Sequence, residues 1–160
     1  MPWDKPYRPA TNRRLDPHLY THSNHVYFMT ILTFNRQLPF VQHALNRVAL
    51  DTLREEQDCR NCTVFTYCLM PDHLHFLVSP KTDGISVLKL TDQYKGKTTN
   101  RAWTAGWRGK LWQPRYYDHI VRADEDLYGI AQYILNNPVR KSLTVCVEDW
   151  PWSGHMNPLP

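Results

Sequence analysis

His73 and His75 stand two residues apart in Leu69-Met70-Pro71-Asp72-His73-Leu74-His75-Phe76-Leu77-Val78, an otherwise apolar run. In an extended chain alternate side chains share a face, so the two imidazoles point the same way. Such a pair on a rigid element suits a divalent metal, and it equally fits two hydrogen-bonded histidines at the end of a sheet. Far along the chain, Tyr133 and Asn137 lie in Ala131-Gln132-Tyr133-Ile134-Leu135-Asn136-Asn137-Pro138. Their i, i+4 spacing puts them on one helical face. A tyrosine oxygen can attack a phosphodiester, leaving a phosphotyrosine link and a free 3′-hydroxyl. The link keeps the bond energy, so rejoining needs no nucleoside triphosphate, and the chain carries no phosphate-binding glycine loop. The Asn carbonyl is a hard oxygen ligand that could complete a His–His–amide set for Mg2+ or Mn2+. On residue type alone, Tyr133 also fits a packing aromatic and Asn137 a helix cap before Pro138.

Cations crowd one stretch. Lys89, Lys95, Lys97, Arg101, Arg108, Lys110, Arg115 and Arg122 are opposed there only by Asp92 and Asp118. Trp103, Trp107, Trp112, Tyr116 and Tyr117 are interleaved with them. Phosphates need cations and unpaired bases stack on aromatic faces, so the mixture suits single-stranded nucleic acid. A solvated helix face beside a tryptophan-anchored loop gives the same composition. The net charge of +4 is compatible with such a partner without establishing one.

These residues need elements to position them. Residues 25–34 alternate as a strand, and Pro39 opens a helical pattern to about Gln57 with Phe40, Val41, Ala44, Leu45, Val48, Ala49 and Leu53 as its apolar stripe. Residues 63–69 and 73–79 read as two strands broken by Pro71-Asp72, which pair antiparallel. Residues 84–103 form a second helix, with Ile85, Leu88, Leu90 and Tyr94 inward, and 115–122 a fourth strand. Asp124 is placed to cap a third helix ending near Asn136 or Asn137, stopped by Pro138. Residues 1–23 read as an irregular arm, and 24–160 as a single domain whose tail, 148–160, is irregular coil. The order β-α-β-β-α-β with an added helix predicts an α+β, ferredoxin-like sandwich with an antiparallel sheet of four to five strands.

A chain of 160 residues can bury a core. No apolar run approaches the ~20 residues of a membrane span, and the N-terminus has no hydrophobic signal segment, which predicts a cytoplasmic protein with no membrane partner. Cys59 and Cys62 have C-x-x-C spacing, but no second ligand pair follows. With Cys68 and Cys146 they read as reduced thiols rather than a zinc site.

Taken in order, the motifs resemble the single-tyrosine HUH transposases of the insertion-sequence type, and among them the REP-associated tyrosine transposases of bacteria. The similarity runs through Met70-Pro71-Asp72-His73-Leu74-His75-Phe76, then Tyr94-Lys95-Gly96-Lys97, then Leu111-Trp112-Gln113 with Tyr117-Asp118-His119-Ile120-Val121-Arg122. It continues in Tyr133-Ile134-Leu135-Asn136-Asn137-Pro138-Val139-Arg140 and Asp149-Trp150-Pro151-Trp152-Ser153, spanning 25–153. The resemblance implies an HUH-type fold whose extra C-terminal helix carries the tyrosine. It implies a metal-dependent transposase that nicks and transfers single-stranded DNA with hairpins, REP-like or from insertion-sequence ends, through a 5′-phosphotyrosine. Carried over, Tyr133 is the nucleophile, His73 and His75 are metal ligands, and Asn137 stands where relatives place an amide ligand, often a longer Gln. The cofactor is then Mg2+ or Mn2+. Candidate DNA contacts are Lys89, Lys95, Lys97, Arg101, Arg115, Arg122, Arg140 and Trp112, and such a protein would work at the nucleoid. A homodimer is one arrangement the resemblance allows, since insertion-sequence relatives exchange the tyrosine helix between subunits. Two other classes also fit the residues: a domesticated hairpin-binding protein that does not cut, and a metal-dependent nuclease using water.

Overall fold

Five strands form one antiparallel sheet in the computed structural model, which describes residues 14–160. They are β1 (Val26–Leu32), β2 (Cys62–Met70), β3 (His73–Pro80), β4 (Tyr117–Val121) and β5 (Ser153–His155), in the order β4-β1-β3-β2-β5. Helices α1 (His43–Cys59) and α2 (Val87–Thr104) connect β1 to β2 and β3 to β4, while α3 (Leu127–Leu135) and the short α4 (Asn137–Arg140) follow β4. This is the ferredoxin-like order expected, with α3 added. Residues 1–13 of the expected arm lie outside the described residues. Within the remainder, Pro17–Tyr20 makes a 3-10 turn whose Tyr20 is buried and donates to Asp118 Oδ1 at 2.6 Å.

The sheet is covered on both faces, which is why β1 and β3 are almost continuously buried rather than alternating. One core gathers Met29, Ile31, Leu74, Phe76 and Val78 under α1 and α2, with Leu45, Ala49, Leu53, Leu90 and Tyr94 facing them. The other gathers Phe28, Cys68, Met70 and Leu77 under Ile130, Ala131 and Ile134 of α3. Pairing of Leu32 with His73 and Thr30 with His75 fixes the register of the histidine strand. Because side chains alternate, His73 and His75 share the face of Leu77, the face α3 covers.

Several boundaries differ from the sequence-based expectation. Pro39 opens a separate 3-10 turn, Pro39–Val41, and α1 begins only at His43, so Val41 and Ala44 are exposed while Leu50 joins the core. Asp126, not Asp124, caps α3: its Oδ1 accepts from the Gly129 N–H at 3.0 Å, and a Cβ on Gly129 would sit 2.5 Å from Asp126 Oδ2. Asp124 instead pairs with Arg122 at 3.5 Å. Pro138 does not end the helical path but enters α4 as a first-turn proline. The tail is not wholly coil, since β5 pairs with the outer edge of β2 through Thr66–His155 to Cys68–Ser153. Trp150 packs into one core and Trp152 into the other, so the tail clasps that edge from both sides.

Cys59 is exposed at the end of α1 and Cys62 is buried at the start of β2. Burial pushes the Cys62 and Cys68 thiols up to about 12, which suits inert core residues.

Two expectations follow. Tyr94, fully buried between α1 and α2, donates to Ala49 O at 3.0 Å. Tyr94→Phe should lower unfolding free energy by about 1 kcal/mol. Tyr94→Ala should cost ~3–5 kcal/mol, both read by urea denaturation. Burial and the Asp118 contact raise the Tyr20 hydroxyl to about 12. The unfolded chain releases this proton near pH ~10, so its contribution is complete below that and lost as pH rises toward about 12. Tyr20→Phe should flatten that alkaline decline in a denaturation series against pH.

Candidate active site

The histidine pair is held from behind by a line of polar contacts. His73 Nδ1 lies 2.7 Å from Asp72 Oδ1, and Asp72 Oδ2 accepts from Arg36 Nε at 2.9 Å and Nη2 at 2.7 Å. The His73 contact first, then Arg36, holds the Asp72 carboxyl well below the usual carboxylate range. An ionised carboxylate requires a proton on the Nδ1 facing it, which leaves Nε2 as the ring nitrogen that can face a cation. Arg36 reaches Asp72 from a turn in which Asn35 and Arg36 both have positive φ, 51° and 54°. The Asp72 carbonyl also accepts from the Thr33 N–H at 3.0 Å, locking this turn to the strand start.

His75 Nδ1 lies 2.8 Å from Thr30 Oγ1 on the neighbouring strand. Its ring meets Phe28 edge-on at 5.3 Å and His73 edge-on at 4.6 Å between centroids. Burial, reinforced by His73 and then Arg140, pushes the His75 imidazole well below the ordinary histidine range. Both rings therefore have their Nδ1 engaged, and Nε2 is what each can offer a cation. A ligand histidine oriented through its other nitrogen is the usual second layer of a metal site.

Helix α3 brings the third member. Asn136 keeps helical dihedrals between α3 and α4, and its N–H still donates to Gln132 O at 2.9 Å. The helical rotation thus carries across the break, and Asn137 turns into the protein with 4% exposure. Its Nδ2 lies 3.0 Å from His73 Nε2. A half-turn of the carboxamide exchanges Nδ2 for Oδ1 at the same position, so this side chain can donate to bare His73 or offer an oxygen beside it. The donor set of two imidazole nitrogens and one amide oxygen fits a hard or borderline divalent ion. Among the described residues, no cluster of three or more His, Cys, Asp or Glu side chains offers another metal site.

Tyr133 is half-buried on α3, one turn before Asn137. The Arg140 guanidinium lies 3.8 Å from the centre of its ring and donates to the Tyr133 carbonyl at 2.6 Å. Across the sheet, Cys68, His75, Thr30 and Tyr117 fall in one register row, so half-buried Tyr117 shares the histidine face.

The expected DNA contacts divide sharply. Trp112 is 5% exposed; it donates to Thr98 Oγ1 at 2.8 Å and packs between Phe40 and Tyr94, so its ring is a core element and not a surface for a base. Lys97 pairs with the buried carboxylate of Glu56, and Arg101 with Glu55 at 2.6 Å, tying α2 to α1. Lys95 Nζ donates to the carbonyls of Gln113 and Pro114 at 2.8 and 2.9 Å, and burial lowers its pKa. Arg122 is exposed but paired with Asp124 and Glu125. Lys89 and Arg115 are exposed, as is Arg140 on the tyrosine. Thr30 and Arg36 were not singled out from sequence, and Tyr117 only as one aromatic of the basic stretch, since the strand register and the turn bring them to the histidines. Asp72 carried one signal, its place directly before His73.

A family model described as "Transposase IS200 like" matches residues 21–137, most of the chain, including His73, His75, Tyr133 and Asn137. The chain belongs to the IS200-like transposase family. It is 28% identical over 141 residues to a Haemophilus influenzae protein described as "Putative REP-associated tyrosine transposase", covering 81% of this chain and 78% of that one. It is 26% identical over 129 residues to the REP-associated tyrosine transposase of Escherichia coli K12, covering 79% and 74%. A solved structure of a REP-associated tyrosine transposase bound to a REP hairpin shares the fold, with a TM-score of 0.75 at 21% identity over 90% of this chain and 81% of that one.

The Asp72–His73 contact predicts one proton position. Nitrogen NMR of the metal-free protein should show His73 as the Nδ1–H tautomer, with Asp72→Asn weakening that preference. A dominant Nε2–H tautomer would contradict the arrangement.

Proposed function

We propose that this IS200-like transposase nicks and transfers single-stranded DNA carrying hairpins, with Tyr133 as nucleophile and the His73–His75–Asn137 set as the cation site. The observation that carries the reading is the Asn137–His73 contact: it docks the tyrosine helix onto the histidine strand within one chain. His73 Nε2, His75 Nε2 and Asn137 Oδ1 would hold Mg2+ or Mn2+. That ion would polarise a non-bridging phosphate oxygen and ease departure of the 3′-oxygen.

The chain's own groups do the rest. Tyr133 Oη attacks phosphorus, the bond from phosphorus to the 3′-oxygen breaks, and the tyrosine retains the 5′-phosphate. The phenolic proton passes to solvent, and the departing 3′-oxygen takes one up. Arg140, stacked on the Tyr133 ring and anchored to its carbonyl, puts a positive charge where the attacking group carries negative charge. The reverse attack by a 3′-hydroxyl rejoins a strand. The hairpin as substrate rests on the relatives, one of which binds a REP hairpin. Of the candidate DNA cations, exposed Lys89, Arg115 and Arg140 pair with no carboxylate among the described residues, and they suit the DNA backbone.

Incubation of labelled hairpin DNA with Mg2+ or Mn2+, followed by denaturing electrophoresis, tests the reading. Wild type should form a covalent protein–DNA adduct and Tyr133→Phe none. His73→Ala and His75→Ala should lose cleavage by at least about 100-fold, in line with removal of a ligand or its support, while keeping most hairpin affinity. Cleavage surviving Tyr133→Phe without an adduct would assign the chemistry to water. Binding without any cut by wild type would leave a hairpin-binding protein.

A further inference from the structure

A groove of about 400 Å³ runs along α2 beside the segment that returns to the sheet, away from the face that carries the histidines. Gly96, Asn100 and Trp103 recur along one face of α2, and Lys110 to Pro114 form the opposite wall. Among the described residues no acidic side chain lines it, and Lys95 and Lys110 do. Trp103 is 49% exposed, yet its ring is fixed, because Nε1 donates to Gly109 O at 2.7 Å. An apolar ring held rigid and open to solvent loses little entropy when a flat partner stacks on it. Gly96 adds a separate observation. It lies inside α2, where glycine is a poor helix former, and a Cβ there would meet nothing within 4 Å. Among the described residues nothing needs that position kept bare.

The groove opens at the end of the sheet that holds His73. The Lys110 Nζ sits 5.1 Å over the Phe34 ring, and the Phe34 N–H donates to Leu111 O at 2.9 Å. Two residues on, Arg36 clasps Asp72, the partner of His73. We infer that the Gly96–Trp103–Lys110 groove seats an unpaired stretch of the DNA substrate, one base stacked on Trp103 and a phosphate at Lys110, as the strand leaves the nicking site. The inference rests on the nicking reading for the identity of that strand, while the groove's affinity for unpaired DNA is measurable alone. Gly96 leaves room for the sugar–phosphate chain to approach the helix, and Asn100 and Thr99 offer hydrogen bonds along it.

Fluorescence anisotropy of full-length protein with a short fluorescein-labelled oligothymidylate, which has no hairpin, tests the groove. Trp103→Ala should weaken binding about tenfold, the scale of one lost base–aromatic stack. Trp103→Phe should recover most of it. Gly96→Leu should weaken binding similarly by filling the groove, with a melting temperature no lower than wild type, since leucine is the better helix former. Lys110→Ala should weaken binding and reduce the salt slope by about one. Wild-type affinity in Trp103→Ala, or no oligothymidylate binding by wild type, overturns the groove and leaves the hairpin adduct to stand by itself. Trp103-dependent binding without any adduct on hairpin DNA keeps the groove and removes the nicking reading.

Discussion

The arrangement depends on one buried imidazole held at both ends. His73 has a carboxylate on Nδ1 and a carboxamide beside Nε2, and each partner arrives from a different part of the chain. Asp72 comes from the turn that reverses β2 into β3, and Asn137 from the start of α4, directly beyond α3. An imidazole in an apolar setting needs its polar atoms matched, so the two contacts constrain each other. If α3 slid by one turn, Asn137 would leave the ring and a different side chain would face it. The apolar contacts of Ile130, Ala131 and Ile134 would tolerate such a shift far better than the single polar contact does. Packing therefore brings the helix to the sheet, and polar matching sets its register.

That division of labour extends behind the site. Arg36 is supplied by a turn with two consecutive left-handed residues, a conformation that costs free energy outside glycine. The turn persists because Thr33 is bound to the Asp72 carbonyl and Phe34 to Leu111, so backbone hydrogen bonds over-determine it. The result is a carboxylate that stays ionised and aimed while facing the protein interior. Thr30 does the corresponding work for His75 with a hydroxyl, which orients without adding charge. Two ligand candidates on one strand thus have unlike supports, one anionic and one neutral.

How much of this was legible in the sequence follows from how local each feature is. Strands β1 to β3 and helices α1 and α2 show in periodicity because their burial is one-sided or continuous over many residues. The pairing of His73 with His75 and of Tyr133 with Asn137 is legible for the same reason, as each is a spacing within one element. Strand β5 was not, since Ser153-Gly154-His155 has no strand pattern and extends only because the β2 edge offers hydrogen bonds. The α3 cap was misplaced because Asp124 and Asp126 have equal propensity; the decision lies in Gly129, whose missing Cβ lets the Asp126 side chain close over the first turn. Thr30 and Arg36 were invisible because strand register and a left-handed turn are not written in composition.

The basic stretch shows most plainly why charge counted along a chain misleads. Between Lys89 and Arg122 the local balance is strongly positive, yet Lys97 and Arg101 answer Glu56 and Glu55 on the packed neighbour α1, some forty residues earlier. Glu56 is fully buried, and a carboxylate there would be costly without partners, so Lys97, together with Arg60 at 3.5 Å, serves the fold before any ligand arrives. Lys95 is likewise held by the Gln113 and Pro114 carbonyls, closing the loop onto α2. What that closure leaves is a groove with fixed walls, an open tryptophan and an uncommitted glycine. Much of the charge that looked like a DNA surface is internal scaffolding, and by fixing the loop it shapes the place where an unpaired strand can lie.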